Sequence, residues 1–415
     1  MESMADWKGK ILPLRQQAQV VNGWLTERLD TVLPEIMTRE GFDMWIVVGR
    51  ENNEDPVLLT LVPEPALSAR RRTILLYTLK DGELEKLVLA RVGMGDLYQA
   101  SWIPEQEDQW ECLARLVKER DPKCIGINCS ETFAFGDGLT HSEYEQMMRA
   151  FDPVYRERVK GAETLAVGWL ERRTPKELNA YDGIVAIAHA MIAEAFSPRV
   201  VHPEVTTTQD VVWWLRQQVT DFGLRSWFQP SVSIQRQGTK EPDSVIRPGD
   251  LLHCDFGLVY LGLCTDTQQH AYVLRPDETE APQGLRTALA TGNRLQDIHA
   301  EAMAAGKTGN EILAAARAVA EEEGIEASIY THPIGYHGHG AGPTIGLCDN
   351  QGVVTGRGDY RLFDDTCHSM ELNIQKKVPE WDDQKVRIAL EQDIKFTDGK
   401  VYFAAGRQTQ FHLIR

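Results

Sequence analysis

Apolar residues recur at helical spacing from about residue 16 to 40, with Val20, Trp24, Leu25, Leu29, Val32 and Ile36 on one stripe. The run Met44–Val48 then reads as a strand, and a polar loop follows from Gly49 to Pro56. Thr73–Thr78, Lys86–Ala90 and Cys124–Ile127 continue the strand pattern, with a helical segment at Gln109–Glu119 between the last two. Helix and strand alternate here, which predicts an α/β domain over roughly the first 150 residues.

Beyond it, RRTPKEL marks a helix start. Thr174 suits the N-cap, Pro175 the first turn and Glu177 the partner of a capping box, ahead of an alanine-rich helix over Leu178–Phe196. The domain boundary is placed near residue 160, giving domains 1–160 and 161–415. Helices at Val205–Phe222, Pro282–Ala305 and Asn310–Glu323 then alternate with strand pairs and glycine-rich loops.

Polar residues that break the apolar pattern carry the chemistry. Asp255 and Asp266 lie eleven residues apart in GDLLHCDFGLVYLGLCTDTQQHAYVL, each in or beside a strand-like apolar run. A buried carboxylate has to be paired, protonated or metal-bound, because desolvating its charge costs several kcal/mol or more. Two on adjacent strands repel each other unless a cation lies between them. Downstream, THPIGYHGHGAGPTIG gathers histidines among glycines, which let backbone approach closely. His339, in GHGAG, is the strongest ligand candidate there. Glu371 in CHSMELNI and Glu391 in VRIALEQDIKF again interrupt strand-like runs. Each alone reads as an exposed strand residue; the order Asp, Asp, His, Glu, Glu is far more specific.

Composition removes other classes. A net charge of -17 disfavours nucleic acid and anionic membranes as partners. The Arg70-Arg71-Arg72 triplet reads as a solvated loop. No apolar run reaches the roughly 18–20 residues that span a bilayer. The N-terminal sequence lacks an apolar signal core, so a cytoplasmic location is expected. Seven irregularly spaced cysteines argue for free, buried thiols over a disulfide framework.

These residues carry a resemblance. GDLLHCDFG with Asp255, CTDTQ with Asp266, GYHGHGAG with His339, SMELN with Glu371 and ALEQD with Glu391 resemble the motifs of the pita-bread metallopeptidases. That group holds methionine aminopeptidase, aminopeptidase P, prolidase and the non-peptidase creatinase. The resemblance implies an α/β N-terminal domain followed by an α+β pita-bread catalytic domain. It implies two divalent metal ions: Asp255 on the first, Asp266 and Glu391 bridging, His339 and Glu371 completing the second. Four carboxylates and an imidazole form a hard donor set that favours Mn2+, with Co2+, Zn2+ or Fe2+ also accommodated. Two metals sharing a water lower its pKa toward neutrality and supply a bridging hydroxide as nucleophile. Glu371 would take up its proton.

The implied function is a metal-dependent exopeptidase, of the Xaa-Pro aminopeptidase or prolidase type, acting on short peptides as a homodimer. The alternatives on the same core are a hydrolase or lyase of a small amino-acid derivative, or a non-catalytic binding protein. Three departures bear on substrate handling. No histidine occurs in QPSVSIQRQGTKEPDSVIRPGD upstream of Asp255. Gly346 stands seven positions beyond His339, where relatives carry a second histidine, and Ala389 stands where they carry arginine. His332 and His337 are the candidate catalytic replacements from the same loop.

Overall fold

The computed structural model describes residues 4–415, and the chain divides into two compact units. One comprises residues 13–174, the other residues 4–12 with 175–415. The helix Glu163–Glu171, which follows the division expected near residue 160, belongs to the first unit.

In the first unit the helical pattern of residues 16–40 becomes one continuous helical stretch from Leu14 to Glu40, interrupted by a wide turn at Arg28–Val32. Pro34 explains the widening, since it has no N–H to give to the preceding turn. The backbone ladder resumes with Leu33 N–H on Arg28 O. Strands β1 (Met44–Arg50), β2 (Arg72–Lys80), β3 (Glu83–Leu89), β4 (Gln99–Ala100), β5 (Ile125–Ile127) and β6 (Val159–Gly161) form one sheet in the order β4-β3-β2-β1-β5-β6. Alternate residues Met44, Ile46 and Val48 turn toward the helix Gln109–Arg120 and bury against Trp110, Leu113 and Val117. Asp108 caps that helix with a capping box closed by Glu111.

In the second unit the principal sheet comprises β7 (Ser231–Gln235), β8 (Leu251–Phe256), β11 (Thr267–Val273), β12 (Glu326–Pro333), β13 (Thr366–Val378) and β14 (Gln384–Thr397). Between β8 and β11 lies a short hairpin, β9 (Val259–Tyr260) and β10 (Leu263–Cys264). The strand order is β12-β13-β14-β11-β8-β7, with β15 (Lys400–Phe403) paired to β14 and β16 (His412–Ile414) to β11. Helices Gln283–Ala302 and Gly309–Glu322 cover one face. Met370, Leu372, Ile374, Ile388 and Leu390 point into that apolar layer. Because strand side chains alternate, Glu371, Asn373, Ala389, Glu391 and Asp393 necessarily face the other way. The glutamates sit in apolar strands because those strands have one dry face and one polar face.

His368 lies on the helix side, its Nε2 3.0 Å from Thr366 Oγ1, which is a structural place. Among the described residues no helix is long and apolar enough to cross a membrane. None of the seven cysteines is in a disulfide; Cys348 is exposed where a buried thiol was expected.

Candidate metal centre

Backbone pairing lines up the polar face residue by residue. Tyr330 pairs with Glu371, Glu371 with Glu391, Glu391 with Gln268, Gln268 with Asp255 and Asp255 with Ser231, giving one continuous row across β12, β13, β14, β11, β8 and β7. The neighbouring row carries His332, paired with Ser369, which pairs with Asp393. Asp266 immediately precedes β11 and shares the face of Gln268. Four carboxylates from four parts of the chain thus meet at the middle of the sheet.

Three overlapping groups bring donor atoms within 4.8 Å of one another: Asp255, Asp266 and Glu391; His332, Glu371 and Glu391; and Asp266, His332 and His339. All five residues expected as ligands are present, and His332 joins them. Its Nε2 lies 3.4 Å from Glu391 Oε1 and 3.7 Å from Asp266 Oδ2. Its Nδ1 is 3.1 Å from Pro333 O, which fixes the ring proton there and leaves Nε2 a bare acceptor facing carboxylates. The ring is buried; His339 is exposed. The His339 ring packs edge-on to His332 at 4.6 Å, to Trp227 at 5.4 Å and to Tyr330 at 6.1 Å between centroids. His337 is half-buried and enters none of the three groups.

The buried atoms Asp255 Oδ1, Asp266 Oδ1 and His332 Nε2 have no hydrogen-bond partner. Electrostatics report the same deficit. Burial, followed by repulsion from Glu391 and Glu371, pushes the Asp255 carboxyl up to about 8. Burial, followed by the neighbouring carboxylates, raises Asp266 well above its ordinary range. Burial lifts Glu371 to about 7, with Glu391 adding to it, and burial lifts Glu391 to about 7. Every carboxyl of the cluster resists ionisation as it stands, and bare acceptors converge on one volume. That donor set fits divalent cations, which replace the absent positive charge directly.

The carboxylates are held from outside. Ser369 Oγ donates to Glu391 Oε1 at 2.8 Å. Gln268 Nε2 donates to Glu391 Oε2 at 2.8 Å and to Glu371 Oε1 at 3.1 Å, while Gln268 Oε1 lies 2.8 Å from His253 Nε2. Asp266 N–H donates to the Asp393 carboxylate, with 3.1 Å to Oδ2, and Tyr181 Oη is 2.9 Å from Asp393 Oδ1. Sequence reading passed over Gln268 and Tyr181. A visible signal for Gln268 was the polar triplet Thr267-Gln268-Gln269 inside an otherwise apolar strand run.

Glycines shape the histidine loop. A Cβ on Gly338 would come within 2.3 Å of the Trp227 ring. Gly346 has φ +72°, and a Cβ there would lie 2.2 Å from Ile329 O. No histidine can stand at 346; the loop path excludes it.

An α/β unit and an α+β unit, the second holding a carboxylate-rich centre on the polar face of its sheet, define the class of pita-bread metalloproteins. The model of metallopeptidase family M24 matches residues 180–398, more than half of the chain, and the chain belongs to that family. Among solved structures, X-Pro aminopeptidase from Thermotoga maritima is similar with a TM-score of 0.65 and 15% identity, over 91% of this chain and 99% of that one. Xaa-Pro dipeptidase from Bacillus anthracis also gives 0.65, at 18% identity, over 94% of this chain and 100% of that one. At these identities the likeness is one of fold. In sequence, the chain is 26% identical over 98 residues to the protein named "Putative Xaa-Pro aminopeptidase" in Mycoplasma genitalium, covering 23% of this chain. It is 25% identical over 158 residues to the protein of the same name in Mycoplasma pneumoniae, covering 37% of this chain. The matched stretches span 27% and 42% of those relatives.

Proposed function

We propose that the chain is a dinuclear metal-dependent exopeptidase of the Xaa-Pro type, acting on short peptides. One observation carries this reading: four carboxylates and a buried imidazole converge on the polar face of a single sheet, with Asp255 Oδ1, Asp266 Oδ1 and His332 Nε2 left without hydrogen-bond partners. Membership of the metallopeptidase family and the names of the sequence relatives support a peptidase with a preference for proline.

Asp255 would serve one metal, with Asp266 and Glu391 shared between two. For the imidazole ligand we assign His332 in place of the expected His339, because His332 is buried with its Nε2 bare and its other nitrogen tied to backbone. A ring nitrogen oriented in this way is the usual preparation of a metal-binding histidine. Glu371 completes that second position. When bound, two divalent ions supply an activated water and polarise the scissile carbonyl. Oxygen-rich ligation favours Mn2+.

Glu371, at the centre of the row with Oε1 held by Gln268, is placed to accept a proton and deliver it to the leaving nitrogen. His339, exposed between Trp227 and Tyr330, is placed to contact substrate, and the two aromatic rings give the mouth apolar walls. The reading extends to a homodimer and a cytoplasmic location.

A hydrolysis screen of di- and tripeptides, with Mn(II), Co(II) and Zn(II) added to stripped protein, tests it. Turnover of Xaa-Pro substrates that is lost on chelation is expected. Equal turnover of peptides without proline overturns the proline preference, and no turnover of any peptide overturns the peptidase assignment.

A further inference from the structure

Strand β11 is buried along its whole length, yet it opens with Thr267, Gln268 and Gln269. Gln268 stands between Asp255 and Glu391 in the pairing register, so its side chain emerges in the middle of the ligand row. Its amide donors are directed at that row. The amide nitrogen spans two ligand carboxylates, Glu391 Oε2 at 2.8 Å and Glu371 Oε1 at 3.1 Å. The amide oxygen meets His253 Nε2 at 2.8 Å.

This orientation is fixed by chemistry. Turned over, the amide would set its oxygen against two carboxylates and lose both donors. His253 therefore presents N–H at Nε2, because an amide oxygen only accepts. Each carboxylate oxygen has two lone pairs, and each bond from Gln268 occupies one of them. With Ser369 on the other oxygen of Glu391, both oxygens of that residue are pinned on their outer side. The remaining lone pairs turn toward Asp266 and His332.

A neutral donor is the type of side chain that suits this place. Arginine or lysine would neutralise ligand charge and compete with a cation, and a further carboxylate would add repulsion to a cluster already short of positive charge. The amide orients without altering the charge count.

We propose that Gln268, locked by His253, is a positioning residue of the metal centre that sets the affinity of the metal position served by Glu371 and Glu391. The proposal rests on the reading of this cluster as a dinuclear site, and the measurement separates the two. Mn(II) binding to the stripped full-length chain is followed by calorimetry and by electron paramagnetic resonance, for the wild type first. A wild type that binds no Mn(II) removes the dinuclear reading itself.

Given two bound ions in the wild type, Q268M keeps the side-chain length and removes both donors. Its weaker-bound Mn(II) is expected to lose roughly 10–100-fold in affinity, the usual cost of an outer partner of a ligand, with the tighter ion changing less than about threefold. The spin-coupled signal should then vanish at metal levels that give it in the wild type. A merely structural role would lower thermal stability and leave the ratio of the two affinities alone. Folded Q268M with wild-type affinities at both positions overturns the proposal. If Q268M does not fold, H253F, which keeps a ring and frees the amide, decides: weakened binding of the second ion supports the proposal, and unchanged affinities at both positions refute it.

Discussion

Stripping the metal should make stability fall as pH rises, and this follows from the four carboxyls at the centre of the sheet. With no cation present, Asp255 sits at about 8 and Glu371 and Glu391 at about 7, raised chiefly by burial, with Asp266 also raised. In the unfolded chain such groups titrate near 4. A group whose folded value is raised favours the folded state while protonated, so its contribution is complete below about pH 4 and is lost as pH climbs through 7 to 8. Release of one net proton costs about 1.4 kcal/mol per pH unit. Over pH 6.5–8.5 a single net proton therefore removes about 3 kcal/mol, or roughly 6–12 °C in Tm for a unit of this size. Divalent metal substitutes for those protons and should reverse the trend. At one hundred times its Kd a single ion adds about 2.7 kcal/mol. Thermal scans of chelator-stripped, dialysed protein across this pH range, with and without Mn(II), measure both arms. A stripped protein whose Tm stays level or rises with pH, and which Mn(II) leaves unmoved, would show that these carboxyls are not the uncompensated cluster described.

The two histidines should separate in their effects: His332→Ala abolishes tight binding of at least one Mn(II) by calorimetry, whereas His339→Ala retains both ions and raises KM. Loss of a bound ion in His339→Ala alone would restore the ligand role expected for it. Gly346→Ala should be destabilised by about 2 kcal/mol or more, since it combines a left-handed backbone with a collision against Ile329 O; an unchanged denaturation midpoint would contradict the loop path. Tyr181→Phe removes a buried hydroxyl from Asp393 and Cys264 O, and a loss of about 1–3 kcal/mol is expected in urea unfolding.

The acidic members of the cluster were legible because a carboxylate inside an apolar strand violates a strong rule, and each violation had the same cause. Asp255, Glu371 and Glu391 stand out against Leu252, Leu372 and Leu390, and the structure explains the contrast by the two faces of one sheet. Helix positions were similarly legible: the helix read from Asn310 begins at Gly309, where Thr308 and Glu311 form a capping box. His332 was harder to place. It lies in SIYTHPIG, an ordinary strand sequence, and only pairing with Ser369, two residues from Glu371, reveals which way the ring points. Register is a long-range property, invisible in a local window. GHGAG drew attention to His339 for a real physical reason, since Gly338 and Gly340 permit close packing. The packing they permit is against Trp227 and the Pro333 carbonyl. Gln268 escaped notice because an amide carries no charge to look out of place.

The row from Tyr330 to Ser231 has a consequence for how the chain acquires its structure. Its members come from β7, β8, β11, β12, β13 and β14, and the donors converge only after β11 has paired with β14, Gln268 with Glu391, two residues more than a hundred positions apart in the chain. A slip of one residue between β13 and β14 would turn Leu390 to the metal side opposite Glu371 and send Glu391 into the helix layer. Such a trapped form lacks a complete ligand set, so cation uptake discriminates against it. The metal would act late in folding, as a proofreader of strand register, and refolding yield should rise with Mn(II) even under conditions where catalysis is not being asked of the protein.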